Sequence, residues 1–163
     1  MQSDGMTTQV RRIGERVLAG RTPAFEEAVE LFERTDYDAH ELFHVANRLR
    51  LNRFGSRIHL CGIVNAKSGG CPEDCDFCSQ SSRQATDIAR YRVIASDEMV
   101  AAAKQARGYG AWALGIVTAG RGYDATSEDF RLLVEGVRAI TRDGSAEAHA
   151  SLGIMGDEEF RQL

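Results

Sequence analysis

The chain has 163 residues, of which 43% are hydrophobic and 27% charged, and its formal net charge is −4. This length suits one domain with a hydrophobic core, and the acidic pI near 5.6 gives no electrostatic basis for nucleic-acid binding. No apolar run approaches the roughly 20 residues of a membrane span, and the N-terminus lacks the apolar core of a signal peptide. We therefore expect a cytoplasmic location, where thiols stay reduced.

The first 55 residues predict helices. In TPAFEEAVELFERTD (22–36), Thr22 is a candidate N-cap and Pro23 suits the first helical position. The stretch DAHELFHVANRLRLNRFG (38–55) predicts a second helix that ends at Gly55. Both stretches place apolar residues at helical spacing, which predicts buried faces: Phe25, Ala28, Val29 and Phe32 in the first, and Leu42, Val45, Ala46 and Leu49 in the second.

Two histidines lie four residues apart in the second of these helices. His40 and His44 have a spacing that can bind a metal, but the acidic context of an HExxH motif is absent. A metal site also needs further ligands that this stretch does not supply. We interpret both as solvated or interfacial histidines.

Apolar runs alternate with amphipathic stretches after residue 55. Strands are predicted at 57–64, 111–120 and 145–155, and helices at 96–110, 126–144 and from Asp157 onward. Ser96 is the predicted N-cap of the first of these helices. The inward face predicted for the second helix consists of Phe130, Leu133, Val134, Val137 and Ile140.

This β-α-β-α-β-α order predicts an α/β fold with parallel strands and helical crossovers. An open doubly wound sheet or about three units of a (β/α)8 TIM-type barrel would fit, since a whole barrel needs about 250 residues. The helix that begins at Asp157 has room for about two turns, so we expect the chain to end in mid-fold. Such a piece has an open sheet edge, and we expect it to be poorly stable alone or to associate with another copy.

The stretch GGCPEDCDFCSQS (69–81) holds Cys71, Cys75 and Cys78 in the pattern C-x3-C-x2-C. Three thiols are an odd number for a disulfide framework and one short of a closed zinc site. Thiolates are soft ligands suited to iron–sulfur clusters, and a [4Fe–4S] cluster normally takes four of them. Three would leave one iron open to a ligand from outside the protein. The loop follows the first strand, at the edge where parallel folds bind ligands.

This motif, with an aromatic residue before its last cysteine, resembles the cluster-binding loop of the radical S-adenosylmethionine (AdoMet) superfamily. The longer stretch 46–82 is similar to the biotin synthase family, and the similarity continues more weakly through IVTAGRG (116–122) and EAHASLG (147–153). The resemblance covers roughly residues 38–163, whereas the first 35 or so carry no family signal. The helical pattern of the first residues predicts an N-terminal helical extension, 1–55, and the resemblance implies that 56–163 is the N-terminal part of a radical AdoMet barrel, in truncated form.

The resemblance also implies a chemistry. Cys71, Cys75 and Cys78 would bind a [4Fe–4S] cluster that reductively cleaves AdoMet to a 5'-deoxyadenosyl radical. Sulfur from a second iron–sulfur cluster would then enter dethiobiotin to form biotin. The implied electron donor is flavodoxin or ferredoxin, and a homodimer is left open. The residues implied to contact AdoMet are Phe77, beside the adenine, and Thr118, Ala119, Gly120 and Arg121, near the amino group.

Two positions depart from the family pattern. Many biotin synthases carry second-cluster cysteines where this chain has Gly115 and His149. Histidine can ligate iron, so His149 is a candidate second-site ligand, although a packed and hydrogen-bonded strand histidine is the alternative. Because these two cysteines are missing, two alternatives stay open: the chain belongs to a related radical AdoMet enzyme without sulfur insertion, or it is a catalytically incomplete piece.

The fourth cysteine gives a further alternative. Cys61 shares a strand face with His59 and Ile63, and we expect it to be a buried structural cysteine because cysteine packs as a small hydrophobe. In a zinc-binding structural module, Cys61 or His59 would instead supply the fourth ligand to the three loop cysteines.

Overall fold

The structure is a computed structural model that describes residues 3–33 and 39–163. The chain divides into two compact units, Met1–Ile58 and His59–Leu163. Among the described residues, no helix combines the length and the apolar character needed to cross a membrane.

The first unit is helical, as predicted. Its helices are α1 (Ser3–Leu18), α2 (Phe25–Glu33) and α3 (Ala39–Phe54). Helices α1 and α3 pack closely because Gly14 has no side chain: a Cβ there would lie 2.4 Å from Cγ1 of Val45. Val45 is accordingly buried, and Gly55, with a φ of 64°, follows the end of α3 as predicted.

Helix α2 differs from its prediction in start and orientation. It begins at Phe25 rather than Pro23, and Oε2 of Glu27 accepts a hydrogen bond from the Ala24 amide at 3.0 Å. Phe25 and Phe32 are 78% and 91% exposed, so the predicted apolar face is wrong. Polar contacts to α1 explain this, because Glu27 pairs with Arg16 and Glu30 with Gln9, and the same face of a helix carries both glutamates. Ala28 is also exposed.

Helix α3 follows its predicted face in part. Leu42 and Leu49 are half-buried beside the buried Val45, whereas Ala46 is exposed. His40 and His44 are both exposed, which agrees with their interpretation as solvated histidines. The predicted helical residues 34–36 and 38 lie outside the described residues.

The second unit contains a parallel sheet, which confirms the predicted α/β class. Strands β1, β2 and β3 stand in that order, and each neighbouring pair is parallel. The described residues form a three-stranded sheet and not a closed barrel. Its elements in chain order are β1 (Cys61–Lys67), α4 (Ser96–Gly108), β2 (Ala113–Thr118), α5 (Glu128–Asp143), β3 (Glu147–Ser151) and α6 (Asp157–Gln162).

The strands are displaced or shorter than predicted. The first was expected at 57–64, but pairing begins where Cys61 stands opposite Ala113 and continues to Lys67. A strand is defined by its partner's hydrogen bonds, which an apolar run does not locate. The other two strands lie inside their predicted ranges of 111–120 and 145–155.

Helices α4 and α5 cover one face of the sheet. Their start signals differ, because Ser127 caps α5 by accepting the Phe130 amide at 3.2 Å, whereas α4 has Ala95 at its N-cap and Ser96 inside it. The predicted cap at Ser96 is therefore wrong.

The predicted inward face of α5 is confirmed, with Val137 partly buried. The core comprises Ala66, Met99, Ala103, Leu114, Ile116, Phe130, Leu133, Val134, Ile140 and Leu152.

The opposite face of the sheet carries exposed side chains. Ile63 is 71% exposed, and Cys61 is exposed as well. The prediction that Cys61 is buried is wrong, because alternation along β1 turns Val64 and Ala66 toward the core and Cys61 and Ile63 away from it. The shared face of Cys61 and Ile63 was predicted correctly.

Candidate metal centre

The cysteine loop leaves β1 through two glycines in the left-handed region. Gly69 and Gly70 have φ values of 73° and 71°, a conformation that favours glycine. At Gly69 a Cβ would also lie 2.6 Å from Cγ of Arg90. Just before them, Ser68 exchanges two backbone hydrogen bonds with Tyr91, at 3.2 and 3.1 Å. The loop entry is thereby fastened to the segment that leads into α4.

All three cysteines take part in backbone hydrogen bonds within the loop. The Cys78 amide donates to the Cys75 carbonyl at 3.1 Å, and the Cys71 amide donates to the Gln80 carbonyl at 3.1 Å. The Cys71 carbonyl in turn accepts the Ser82 amide at 2.8 Å. The loop therefore folds back on itself, and the segment after the last cysteine runs beside the first.

The three thiols are free and differ in exposure. Cys71 is buried, Cys78 is half-buried and Cys75 is exposed. Across residues 3–33 and 39–163, no three His, Cys, Asp or Glu side chains are grouped as a preformed metal site. By chemistry the donor set fits a thiolate-ligated metal, because all three sulfurs belong to one short loop and none is in a disulfide. The ligand assignment itself stays a prediction.

The acidic side chains of the loop are directed to arginines or to solvent. Oε1 of Glu73 lies 3.4 Å from Nη1 of Arg121, and Oδ2 of Asp74 lies 3.5 Å from Nη1 of Arg83. Asp76 is exposed. Both ion pairs are solvent-accessible and add little stability. The Glu73–Arg121 pair nevertheless brings the segment after β2 next to the cysteine loop.

The residues expected to contact AdoMet lie at this carboxyl edge of the sheet. The Ala119 amide donates to the Lys67 carbonyl at 2.8 Å, directly before the cysteine loop, and the Arg121 carbonyl accepts the Ile154 amide at 2.7 Å. Thr118 ends β2, and Gly120 lies between Ala119 and Arg121. Phe77 is 97% exposed, so its ring is available to a ligand. The fold thus gathers the segment 118–121 and the loop at one edge.

A polar group that the sequence analysis missed lies at the same edge. Nζ of Lys67 is 2.9 Å from Oδ2 of Asp129 and 5.3 Å from the ring centroid of Tyr123, and Nη2 of Arg92 is 3.4 Å from Oδ1 of Asp129. These residues line an open cavity of about 300 Å³. The sequence could have indicated Lys67 as a site residue, because it lies just before the cysteine loop and at the end of a parallel strand.

The ionisation of this group follows from its contacts. The hydrogen bond from Lys67 is the main cause that lowers the pKa of Asp129, and Arg92 adds to it. Burial raises the pKa of Tyr123, although the Thr118 hydroxyl and the Lys67 ammonium oppose that rise. The Asp129 carboxyl group therefore stays ionised at neutral pH, while Tyr123 stays a neutral phenol.

His149 and Gly115 lie side by side on the open face of the sheet. They are register partners in β2 and β3. Nε2 of His149 is 3.0 Å from Oε1 of Glu147, and this hydrogen bond is the main cause that lowers the pKa of Glu147. The His149 side chain is 48% exposed, so it is hydrogen-bonded but not packed. Gly115 offers no ligand atom.

The chain is similar to biotin synthases of several bacteria. It is 37% identical to that of Trichlorobacter lovleyi over 156 residues, which cover 96% of this chain and 46% of the relative. It is 37% identical to that of Geotalea daltonii over 158 residues, which cover 97% of this chain and 48% of the relative. It is 33% identical to that of Clostridium acetobutylicum over 151 residues, which cover 93% of this chain and 46% of the relative. No protein-family model matches the chain.

These matches correct one expectation and confirm another. The view that the first 35 or so residues carry no family signal is wrong, because the alignments cover up to 97% of the chain. The chain spans about half the length of the curated relatives it matches. Along nearly all of its own length, as the cysteine loop and its flanking residues predicted, the chain is similar to biotin synthases.

Proposed function

We propose that the chain carries the cluster-binding portion of a radical AdoMet enzyme of the biotin synthase type. The supporting observation is that three free cysteines in C-x3-C-x2-C spacing lie at the carboxyl edge of a parallel sheet, in a homologue of biotin synthases. Cys71, Cys75 and Cys78 would hold a [4Fe–4S] cluster. When bound, such a cluster supplies the electron that cleaves AdoMet to methionine and a 5'-deoxyadenosyl radical.

The chain's own residues would bind and orient AdoMet. The segment 118–121 presents backbone groups beside the cysteine loop, held there by the Ala119–Lys67 hydrogen bond and the Arg121–Glu73 contact. Phe77 offers an exposed aromatic face on which an adenine ring could stack. Binding would bury this ring and exclude water from the reacting atoms.

The proposed substrate is dethiobiotin, with sulfur insertion to give biotin and with flavodoxin or ferredoxin as the electron donor. We place the reaction in the cytoplasm because it requires reduced thiols. A second cluster within the enzyme would be the sulfur source, and a homodimer is compatible with the proposal.

One observation favours a second candidate, a related radical AdoMet enzyme that abstracts hydrogen without inserting sulfur. Gly115 provides no donor atom, and the imidazole of His149 is already engaged by Glu147. The two positions that many family members use for the second cluster thus supply at most one ligand.

An anaerobic assay separates these candidates. The reconstituted protein is mixed with AdoMet, a strong reductant and dethiobiotin, and 5'-deoxyadenosine and biotin are quantified by mass spectrometry. Both products support biotin synthase activity, whereas 5'-deoxyadenosine without biotin supports the second candidate. If the 163-residue chain forms neither product, it is catalytically incomplete by itself. Cys75→Ala, which lacks one proposed cluster ligand, is the matched negative control.

A further inference from the structure

Gln80 holds the entry of the cysteine loop through both its side chain and its backbone. Its Oε1 accepts the Gly69 amide at 2.6 Å and the Ser68 hydroxyl at 3.2 Å. Its backbone carbonyl accepts the Cys71 amide at 3.1 Å. Gln80, two positions after the last cysteine of the motif, therefore accepts hydrogen bonds from Ser68, Gly69 and Cys71.

The buried setting makes these hydrogen bonds consequential. Ser68 is 5% exposed and Gly69 is buried, so water is a poor substitute for Gln80 as acceptor. An amide left without a partner in such a place costs free energy, and the backbone would move to relieve it. Because Cys71 is only two residues further along, such a movement would displace its sulfur.

The next residue extends the same arrangement. Ser81 is 2% exposed, and its hydroxyl donates to the Glu73 carbonyl at 2.6 Å and accepts the Arg83 amide at 3.1 Å. Glu73 lies in the spacer between Cys71 and Cys75. Gln80 and Ser81 together thus tie the segment after the motif to the segment before and within it.

We propose that Gln80 is a positioning residue of the metal centre, which fixes the backbone that carries Cys71 and thereby slows the loss of the bound metal. It acts through Gly69 and Cys71 and contacts neither metal nor substrate in this role. The inference rests on the proposed function for the nature of the metal, while the hydrogen bonds themselves are independent of it. Residues that orient metal ligands typically change metal affinity about 10- to 100-fold when they are replaced.

Three variants separate this role from a general effect on folding. Gln80→Met keeps the size of the side chain but removes the acceptor, whereas Gln80→Glu keeps an acceptor in the same place. Gln105→Met makes the same chemical change at an exposed site on α4 and serves as the control. The amides of Leu114 and Ile116, in the buried middle of β2, report whether each variant is folded.

The first measurement is amide hydrogen exchange of the metal-free chain by NMR. In Gln80→Met we expect the Gly69 amide to exchange about tenfold faster or more, because it has lost its acceptor, while Leu114 and Ile116 stay as protected as in wild type. Gln80→Glu and Gln105→Met should keep wild-type exchange at Gly69. Unchanged Gly69 exchange in a folded Gln80→Met protein would overturn the proposal.

The second measurement is the rate at which a ferrous chelator removes iron from the anaerobically reconstituted chain. Gln80→Met should release iron about 10- to 100-fold faster than wild type, and Gln80→Glu should recover most of the difference. Equal rates in all variants would overturn the positioning role. If wild type takes up no iron, the proposed function fails and the metal role of Gln80 fails with it. The exchange of Gly69 would still decide the hydrogen bond, so the two failures are distinguishable.

Discussion

His149 lies directly opposite Gly115 in the parallel register of β2 and β3, with its Nε2 hydrogen-bonded to Glu147. If His149 were to ligate a second cluster through Nε2, that hydrogen bond would have to break. We therefore expect that His149 ligates no cluster in this chain, and His149→Asn should retain the wild-type content after reconstitution, about four irons per chain for the one cluster bound by the loop cysteines. Iron analysis tests this, with Glu147→Gln as a companion variant. A higher wild-type content that falls in His149→Asn would identify the histidine as a ligand.

Replacement by alanine is predicted to change the free energy of unfolding differently at Gly115 and at Gly136. A Cβ at Gly115 would meet Gly62 O and Ile63 Cγ1, both at 3.7 Å, which is ordinary contact. A Cβ at Gly136 would lie 2.2 Å from Sδ of Met99, a fully buried side chain. Gly115→Ala should leave the free energy of unfolding unchanged or raise it by up to about 1 kcal/mol, whereas Gly136→Ala should lower it by about 1–3 kcal/mol. Urea denaturation tests both, and equal effects would contradict the packing described for α5.

The Lys67–Asp129 ion pair should make the free energy of unfolding depend on pH at values near and below the ordinary pKa of an aspartate side chain. The pKa of Asp129 is lowered in the folded state, so its contribution is present above the unfolded pKa of about 3.9 and is lost as the pH falls through the folded pKa. Asp129→Asn should cost about 1–2 kcal/mol at pH 7. This cost should stay constant down to about pH 5 and shrink below about pH 4, because wild type then loses the same charge.

Denaturation at several pH values measures this dependence. Asp87→Asn, which changes an exposed carboxyl group, is the matched control. A cost for Asp129→Asn that grows as the pH falls would show that the carboxylate is not stabilised by Lys67.

Two serines near helix starts are predicted to differ in their contribution to stability. Ser127→Ala removes the side-chain acceptor of the Phe130 amide and should lower stability by about 1 kcal/mol. Ser96 lies inside α4 behind an Ala95 N-cap, so Ser96→Ala should have an effect within about 0.5 kcal/mol. Thermal unfolding of the two variants gives the comparison. A larger loss of stability in Ser96→Ala than in Ser127→Ala would contradict this and support Ser96 as the N-cap of α4.

The order of elements and the inner face of α5 could be predicted because both depend on local pattern. Phe130, Leu133 and Ile140 recur at helical spacing, and this periodicity is enough to indicate the buried side. The exposure of Phe25 and Phe32 could not be predicted in the same way. In that helix, partners on α1 for Glu27 and Glu30 determine which side turns inward, and these partners are distant in sequence.

The place of the candidate site after the first strand could be predicted from the sequence, but the hydrogen bonds that support the loop could not. The spacing of Cys71, Cys75 and Cys78 alone indicates a metal-binding loop. The role of Gln80 depends on the loop folding back to meet Gly69, and the Lys67–Asp129 pair joins residues 62 positions apart. Neither relationship leaves a periodic trace in the sequence. The exposure of Cys61 likewise follows from which face of the sheet α4 and α5 cover, and the composition of the strand does not reveal this.

The central claim is that Cys71, Cys75 and Cys78 bind an iron–sulfur cluster, and anaerobic reconstitution with iron and sulfide tests it most directly. Wild type and Cys61→Ala should become brown with broad absorption near 400 nm, about where thiolate-ligated clusters absorb, while Ala at any of the three loop cysteines should abolish it. Cys61 is the matched control because it is a free thiol outside the loop. A protein that binds zinc without this absorption, or one that loses the cluster in Cys61→Ala but keeps it in Cys75→Ala, would contradict the claim.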